Sequence, residues 1–302
     1  MNWWKSLKGK VKLQEPLKAH TTFKIGGPAD FFIEPRDAED LRLLLCLVKK
    51  NNLQLRVIGM GSNLLISDKG VSGVVLRLNA PYFKKLRYRD NYLDAGAGVP
   101  LNAIVAFCME RGLSKAEFLT GIPGTLAGAL AMNAGIARKV KSPRPAVNNI
   151  GDLIKRVTVM DYAGNIKTLD KKKIKFGYRK SSLSKYIILN ATMKLKKTDK
   201  SKVREKIMGY ASHRKRTQDL SKPSAGCVFK NPALDSAGRL IDSCGLKGKR
   251  IKDAGISVKH ANFILNLGQA QEKDIRRLMD FIKTKVKRKF NVSLTPEIKI
   301  WQ

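Results

Sequence analysis

Residues 121–135 read GIPGTLAGALAMNAG, fifteen positions with four glycines, one proline and no charge. The run is too broken for a membrane helix and too apolar for an ordinary surface loop. Gly121, Gly124 and Gly128, with Ile122, Pro123 and Thr125 among them, suit a backbone that approaches a pyrophosphate at a helix N-terminus. Glycines that let two helices pack closely would leave the same composition.

A second uncharged turn lies upstream. Gly59-Met60-Gly61-Ser62-Asn63 follows a predicted strand, and its glycines let amides come near a phosphate while Ser62 and Asn63 add donors. Leu64 stands where the dinucleotide fingerprint needs its third glycine, so the segment does not support a Rossmann site. A plain tight turn after a strand is the competing explanation. Two such loops in one domain suggest a large diphosphate cofactor lying between them.

Around these loops the pattern reads α+β. Strands are predicted at 29–34, 54–58, 74–78, 157–161 and 186–195. Asp37 is placed to cap a helix through about Lys50, with Leu41, Leu44, Leu45 and Val48 on one face. A helix over 101–111 should stop at Gly112. Ala163-Gly164-Asn165 marks a hairpin between 157–161 and 166–169. Pro143 and Pro145 mark an exposed excursion in 137–149. The basic stretch 196–202 is a plausible boundary, followed by helices near 201–216, 238–244 and 271–289, strands within 254–266 and a last strand over 297–301.

The chain has 302 residues and a formal charge of +36. Its length allows more than one core. The cations are spread through nearly every segment, and lysine outnumbers arginine about two to one, which suits solvated faces better than base readout. Specific nucleic-acid binding is not expected, although the field would steer anionic ligands inward. Cys46, Cys108, Cys227 and Cys244 form no CxxC pair, and His20, His213 and His260 have no metal-ligand spacing; neither a disulfide framework nor a metal centre is expected. The start MNWWKSLKGK lacks the apolar core of a secretory signal. A cytoplasmic protein without membrane insertion is the expectation, and Trp3 and Trp4 are expected to pack against the body.

Three further residues are candidates for chemistry. Arg179 in FGYRKSSL suits an anionic oxygen pair, with Tyr178 able to stack or donate; a surface arginine is the ordinary alternative. Cys227 in PSAGCVFKNP follows small residues that would expose its thiol, with Lys230 and Asn231 as polar reach. A thiol can donate a proton as well as attack, but a buried cysteine can also be a small hydrophobe. Ser224 in the same segment could shape the turn. Glu297 in PEIK is one of few acids in a basic C-terminal region, where a surface ion pair is the default.

Taken together these segments resemble the UDP-N-acetylenolpyruvoylglucosamine reductase (MurB) family. The resemblance covers about residues 15 to 300. It rests on HTTFKIGGPADFF (20–32), VIGMGSNLLISDKGVSGVVLRL (57–78), AGAGVPL (95–101), 121–135, 176–183, 223–232, GRLIDSCGLKGKRIKDAGISVKHANFILNLG (238–268) and PEIK (296–299). It implies an FAD-binding domain of the vanillyl-alcohol-oxidase type in two subdomains, plus a C-terminal α+β substrate-binding domain. On that reading 1–19 is an N-terminal segment, 20–196 binds FAD (subdomains about 20–80 and 81–196), and 197–302 binds substrate. FAD would be held by 59–64 and by Gly121, Ile122, Pro123, Gly124, Thr125 and Gly128. NADPH would be the hydride donor and UDP-N-acetylglucosamine enolpyruvate the acceptor.

The resemblance implies Arg179, Cys227 and Glu297 as catalytic residues, with Tyr178, Lys230 and Asn231 contacting substrate. The chain looks like the shorter family type, without an added tyrosine-bearing loop. Cys227 stands where the family's proton donor is serine. A thiol, with a pKa of about 8.5, is a stronger acid than a hydroxyl, so donation should survive with oxidation as a liability. The stretch between Gly135 and Gly151 looks longer than usual. The alternatives are a flavin oxidoreductase of the same fold acting on another substrate, or a basic nucleic-acid binder on a degenerate flavin scaffold.

Overall fold

The computed structural model describes residues 2–137 and 147–302. Most of the excursion expected at 137–149 lies outside the described residues. In chain order the main elements are β1 (Lys10–Pro16), β2 (Pro28–Glu34), α1 (Ala38–Lys50), β3 (Leu55–Ile58), β4 (Leu64–Ile66), β5 (Val71–Arg77), β6 (Leu86–Arg89), β7 (Tyr92–Gly96), α2 (Leu101–Arg111) and α3 (Leu126–Ala131). Then come β8 (Ile154–Met160), β9 (Ile166–Asp170), β10 (Ile187–Lys194), α4 (Lys200–Thr217), α5 (Ala237–Ser243), β11 (Ala254–Ile256), β12 (Ile264–Asn266), α6 (Glu272–Phe290) and β13 (Lys299–Trp301). The mixed α+β class matches the sequence reading.

The chain divides into two compact units. The first comprises Met1–Lys12, Phe31–Gly59 and Val74–Ser212. Its main sheet has the order β9-β8-β10-β7-β6. The central strand β10 is buried along nearly its whole length, Ile187, Ile188, Leu189, Ala191, Thr192 and Met193 among its buried residues, and its pairing with β8 shifts register between Ile188 and Asn190, as a bulge does. The β8–β9 hairpin falls at the turn expected from Ala163-Gly164-Asn165, with Met160 opposite Ile166.

A second sheet has the order β1-β2-β5-β3. Asp37 caps α1 by accepting from the Asp40 amide, and the predicted stripe Leu41, Leu44, Leu45 and Val48 is buried in one core with Ile33, Val74 and Leu76. Each such side chain contributes about 2 kcal/mol on burial. Strands β3 and β5 are parallel, Leu55 beside Val74. Since β5 lies between β2 and β3, the β2–α1–β3 crossover spans one strand. Trp3 and Trp4 pack their rings on Phe31 at 4.9 and 5.0 Å, the tail-on-body outcome expected of them. Helix α2 ends at Gly112, φ +61°, where a Cβ would fall 2.5 Å from Thr198 O.

The second unit comprises Leu13–Asp30, Met60–Gly73 and His213–Gln302. Helix α6 buries Ile275, Leu278, Met279, Ile282 and Val286 in a core shared with Phe23, Ile25 and Leu65. The early segment is pinned where Asn266 Nδ2 donates to Phe23 O at 3.0 Å. The terminal strand β13 pairs in parallel with β4, Lys299 beside Leu64 and Trp301 beside Ile66. Among the described residues no helix is long and apolar enough to cross a membrane, and no group of three or more His, Cys, Asp or Glu side chains could hold a metal ion.

Candidate active site

Within the first unit the two glycine-rich loops meet. Gly59 ends the β3 strand, and a Cβ there would stand 2.7 Å from Thr125 Oγ1. Thr125 is the N-cap of α3, its hydroxyl accepting from the Gly128 amide at 3.3 Å. Gly121 and Gly124 have φ of +72° and +157°, conformations that a side chain strains.

The 121–135 run is therefore a turn and one short helix rather than a helical hairpin. The first-turn amides of that helix are committed within the protein: Leu126 donates to Val99 O, Ala127 to Ala97 O, and Gly128 to Thr125 Oγ1. Those three donors already have carbonyl or hydroxyl acceptors. What fits a diphosphate is the uncharged, close-approaching backbone of the two loops.

The YR segment reaches the same run from another side. A short hairpin pairs Phe176 with Ser181 and Gly177 with Lys180, and Arg179 in its turn has φ +54°. Arg179 Nη1 donates to Gly135 O at 3.1 Å, and its guanidinium lies 5.4 Å from the exposed Tyr178 ring. Ser181 Oγ donates to Ala131 O at 3.2 Å. Buried Asn133 joins the pieces, its amide donating to Gly177 O at 3.1 Å and its carbonyl accepting from the Gly151 amide at 3.1 Å.

Within the second unit, Cys227 and Glu297 come together through the backbone. The Glu297 amide donates to Val228 O at 2.7 Å, the Lys230 amide donates to Thr295 O at 2.9 Å, and Phe229 bridges Pro296. Cys227 itself bridges Phe263 and is half-buried. A Cβ added at neighbouring Gly226 would meet nothing within 4 Å, so the backbone just before Cys227 faces open space.

Asn63 belongs to this cluster. Its amide donates to Glu297 O at 3.2 Å, and its backbone carbonyl accepts from the Lys299 amide at 2.9 Å. Gly61, φ +61°, lies so close to His20 that a Cβ would reach 2.2 Å from that carbonyl. Asn231 helps to build the fold here, since its Oδ1 accepts from the Ala237 amide at 3.0 Å, at the start of α5.

Sequence reasoning missed Asn262. Buried at 2% exposure, it pairs with both backbone groups of Phe229, accepting from the amide at 2.9 Å and donating to the carbonyl at 2.8 Å. It thereby acts as a substitute strand partner two residues from Cys227. The available signal was an amide between apolar residues in HANFIL, with nothing polar in sequence to satisfy it. Arg214 was also missed; burial lowers its proton affinity, while attraction to Cys227 works the other way.

Comparisons with known proteins agree with both halves. The family model described as "FAD binding domain" matches residues 29–170. That described as "UDP-N-acetylenolpyruvoylglucosamine reductase, C-terminal domain" matches 218–301. UDP-N-acetylenolpyruvoylglucosamine reductase 2 of Symbiobacterium thermophilum is 39% identical over 97% of this chain and 92% of its own length. The reductase of Clostridioides difficile is 40% identical over 96% of this chain and 93% of its own. The crystal structure of the Thermus caldophilus reductase superposes with a TM-score of 0.80 at 35% identity, covering 98% of this chain and 100% of that one. With matches of this extent on both sides of the chain, it belongs to the UDP-N-acetylenolpyruvoylglucosamine reductase family.

Proposed function

We propose that this protein reduces UDP-N-acetylglucosamine enolpyruvate to UDP-N-acetylmuramate with NADPH, as an FAD enzyme of peptidoglycan precursor synthesis in the cytoplasm. The observation that carries this reading is the pairing of the Cys227 and Glu297 segments through the Glu297–Val228 hydrogen bond. It brings a thiol-bearing and a carboxyl-bearing segment together beside open space at Gly226.

When bound, the flavin supplies the hydride that reduces the enolpyruvyl double bond, after taking it from NADPH. The chain's residues manage charge and protons. Hydride addition builds negative charge toward the substrate carboxylate. Arg179 and a protonated Glu297 are assigned to stabilise it, an electrostatic role filled by groups held before the reaction. The adjacent carbon then needs a proton, and the Cys227 thiol is assigned to deliver it.

Lys230 and Asn231 are assigned to the substrate's polar groups, with Tyr178 beside Arg179. For the cofactor, Gly59 to Leu64 and Gly121 to Gly128 are assigned to the FAD phosphates, and the adjacency of Gly59 and Thr125 supports one ligand resting on both loops.

The test is spectroscopic. Purified protein should carry a flavin spectrum that NADPH bleaches and the enolpyruvate substrate restores, with UDP-N-acetylmuramate recovered. Bleaching without restoration by that substrate would transfer the fold to another reaction.

A further inference from the structure

A cavity of about 420 Å³ opens in the first unit between the 114–118 turn, the 148–153 segment and α4. That volume lies within the range of small-molecule sites, roughly 300–1,000 Å³. Among the described residues, none that lines it belongs to the loops assigned to the flavin or to the Arg179 hairpin. Buried Phe118 and Leu153 form its apolar wall.

The polar groups of the cavity are fixed by specific contacts. Glu117 is 5% exposed; its Oε1 accepts from Ser114 Oγ at 2.6 Å and its Oε2 from the Lys115 amide at 2.7 Å. Lys115 has φ +99°, a conformation that a lysine leaves unless its surroundings impose it. Lys206 Nζ stands 3.6 Å from Glu117 Oε1 and 3.4 Å from Ser114 Oγ. Tyr210, one turn further on the same face of α4, has a hydroxyl that accepts from Asn148 Nδ2 at 3.3 Å.

The hydrogen-bonding capacity left over defines the ligand. An ammonium carries three N–H groups, so Lys206 keeps one beyond Glu117 and Ser114. The Tyr210 hydroxyl, having accepted from Asn148, keeps its own proton to donate. Exposed Lys115 adds a second ammonium. These donors call for a group with several anionic oxygens, and a phosphate monoester has three. Asp152 is the opposing charge. Its Oδ2 accepts from the Asn149 amide at 3.0 Å, and a carboxylate has a second oxygen for a ligand that donates. A phosphate with hydroxyl groups on its carbon skeleton meets both demands, its C–H faces resting on Phe118 and Leu153.

Both walls of the cavity lead to the flavin loop. Glu117 O accepts from the Thr120 amide at 3.1 Å and from the Thr120 hydroxyl at 2.6 Å, and Gly121 follows directly. On the other wall the Ile150 amide donates to Ala134 O at 2.8 Å. The neighbouring Gly151 amide donates to Asn133 Oδ1, and Asn133 Nδ2 holds Gly177 O in the Arg179 hairpin. A ligand that ties these walls together therefore stiffens the supports of the 121–128 loop.

We propose that this cavity is a second ligand site, that it takes a sugar phosphate, and that filling it slows flavin release. The coupling, but not the site, rests on the assignment of 121–128 to the flavin made above.

The test titrates the flavin-loaded protein in a calorimeter with glucose 6-phosphate, inorganic phosphate and glucose. Glucose 6-phosphate should bind with a Kd below about 1 mM, inorganic phosphate about tenfold more weakly, and glucose without measurable heat. Lys206→Met should weaken glucose 6-phosphate binding about tenfold. Tyr210→Phe, which keeps the ring and removes only the hydroxyl, should weaken it about fivefold. Flavin release, read as the rise in FAD fluorescence on dilution, should slow about fivefold with glucose 6-phosphate present. In Lys206→Met the added ligand should leave that rate unchanged.

No binding, or binding unchanged in both variants, overturns the site. Equal affinity for inorganic phosphate overturns the sugar phosphate as its ligand. Binding that the variants abolish, with flavin release unaffected, overturns the coupling. Protein that purifies without flavin would count against the reductase reading, while the titration still decides the site.

Discussion

Gly59 and Thr125 approach so closely that only a hydrogen at position 59 fits: a Cβ there would stand 2.7 Å from Thr125 Oγ1. The same hydroxyl caps α3 through the Gly128 amide. The end of β3 and the start of α3 are therefore one packed unit, and the glycine is required by the protein's own packing.

Gly59→Ala should displace the Thr125 side chain and weaken the α3 cap. The expected loss is about 1–3 kcal/mol of stability, with flavin content reduced. At Gly128 a Cβ would lie 3.5 Å from the same oxygen, an ordinary contact. Gly128→Ala should therefore stay within about 0.5 kcal/mol of the parent in stability. Thermal unfolding and the flavin-to-protein absorbance ratio check both; equal destabilisation by the two would contradict the packing account.

Asn262→Ala should be severe. It removes both partners of the Phe229 backbone in a buried site, for an expected loss of about 2–4 kcal/mol. Denaturant unfolding measures it. A shift below about 1 kcal/mol would mean the Phe229 backbone finds other partners.

Arg179 separates binding from chemistry. Arg179→Ala should leave NADPH-dependent flavin bleaching within about twofold and lower product formation by about a hundredfold or more. Arg179→Lys should recover little, because a point charge does not reproduce a planar fork. Rapid-mixing absorbance and product chromatography read the two halves independently.

Cys227→Ser should keep much of the product formation, while Cys227→Ala should lose about a hundredfold with bleaching intact. Single-turnover reoxidation by substrate is the measurement, and a fully active alanine variant would remove Cys227 from the mechanism.

His260 gives a pH dependence of stability. Its folded-state pKa is depressed below the ordinary value of 6.5, chiefly by burial, with Lys247 adding to it. The unfolded chain therefore binds the proton more readily. The histidine's contribution is fully present above about pH 6.5 and is lost as pH falls from there toward the folded value. His260→Gln should flatten the decline in unfolding temperature between about pH 7 and 5. An unchanged slope would place the titration elsewhere.

Local signals were legible where one segment contains all its own causes. The Asp37 cap and the Leu41–Val48 stripe, the Gly112 stop and the Ala163-Gly164-Asn165 hairpin each depend on residues a few positions apart. The pairing of β4 with β13 was not, because Leu64 and Lys299 meet only through the closing of the second unit's core. For the same reason β5 inserting between β2 and β3 left no mark in either flanking strand.

The site was legible as residue types and illegible as contacts. Cys227 and Glu297 stood out, yet the hydrogen bond that joins their segments is made by backbone groups, which every sequence has. Arg214 was one cation among many, and burial alone distinguishes it. The acceptors of the α3 amides were not legible either, because Val99 and Ala97 supply them from a distant stretch.

The second unit is assembled from three separate stretches of chain, two early and one reaching Gln302. During synthesis the early pair emerges long before its partners. Leu64–Ile66 must wait, with an unsatisfied edge, until Lys299–Trp301 leave the ribosome and pair with it. Deletion of residues 299–302 should therefore leave newly made protein vulnerable to aggregation at that edge, out of proportion to the few atoms removed.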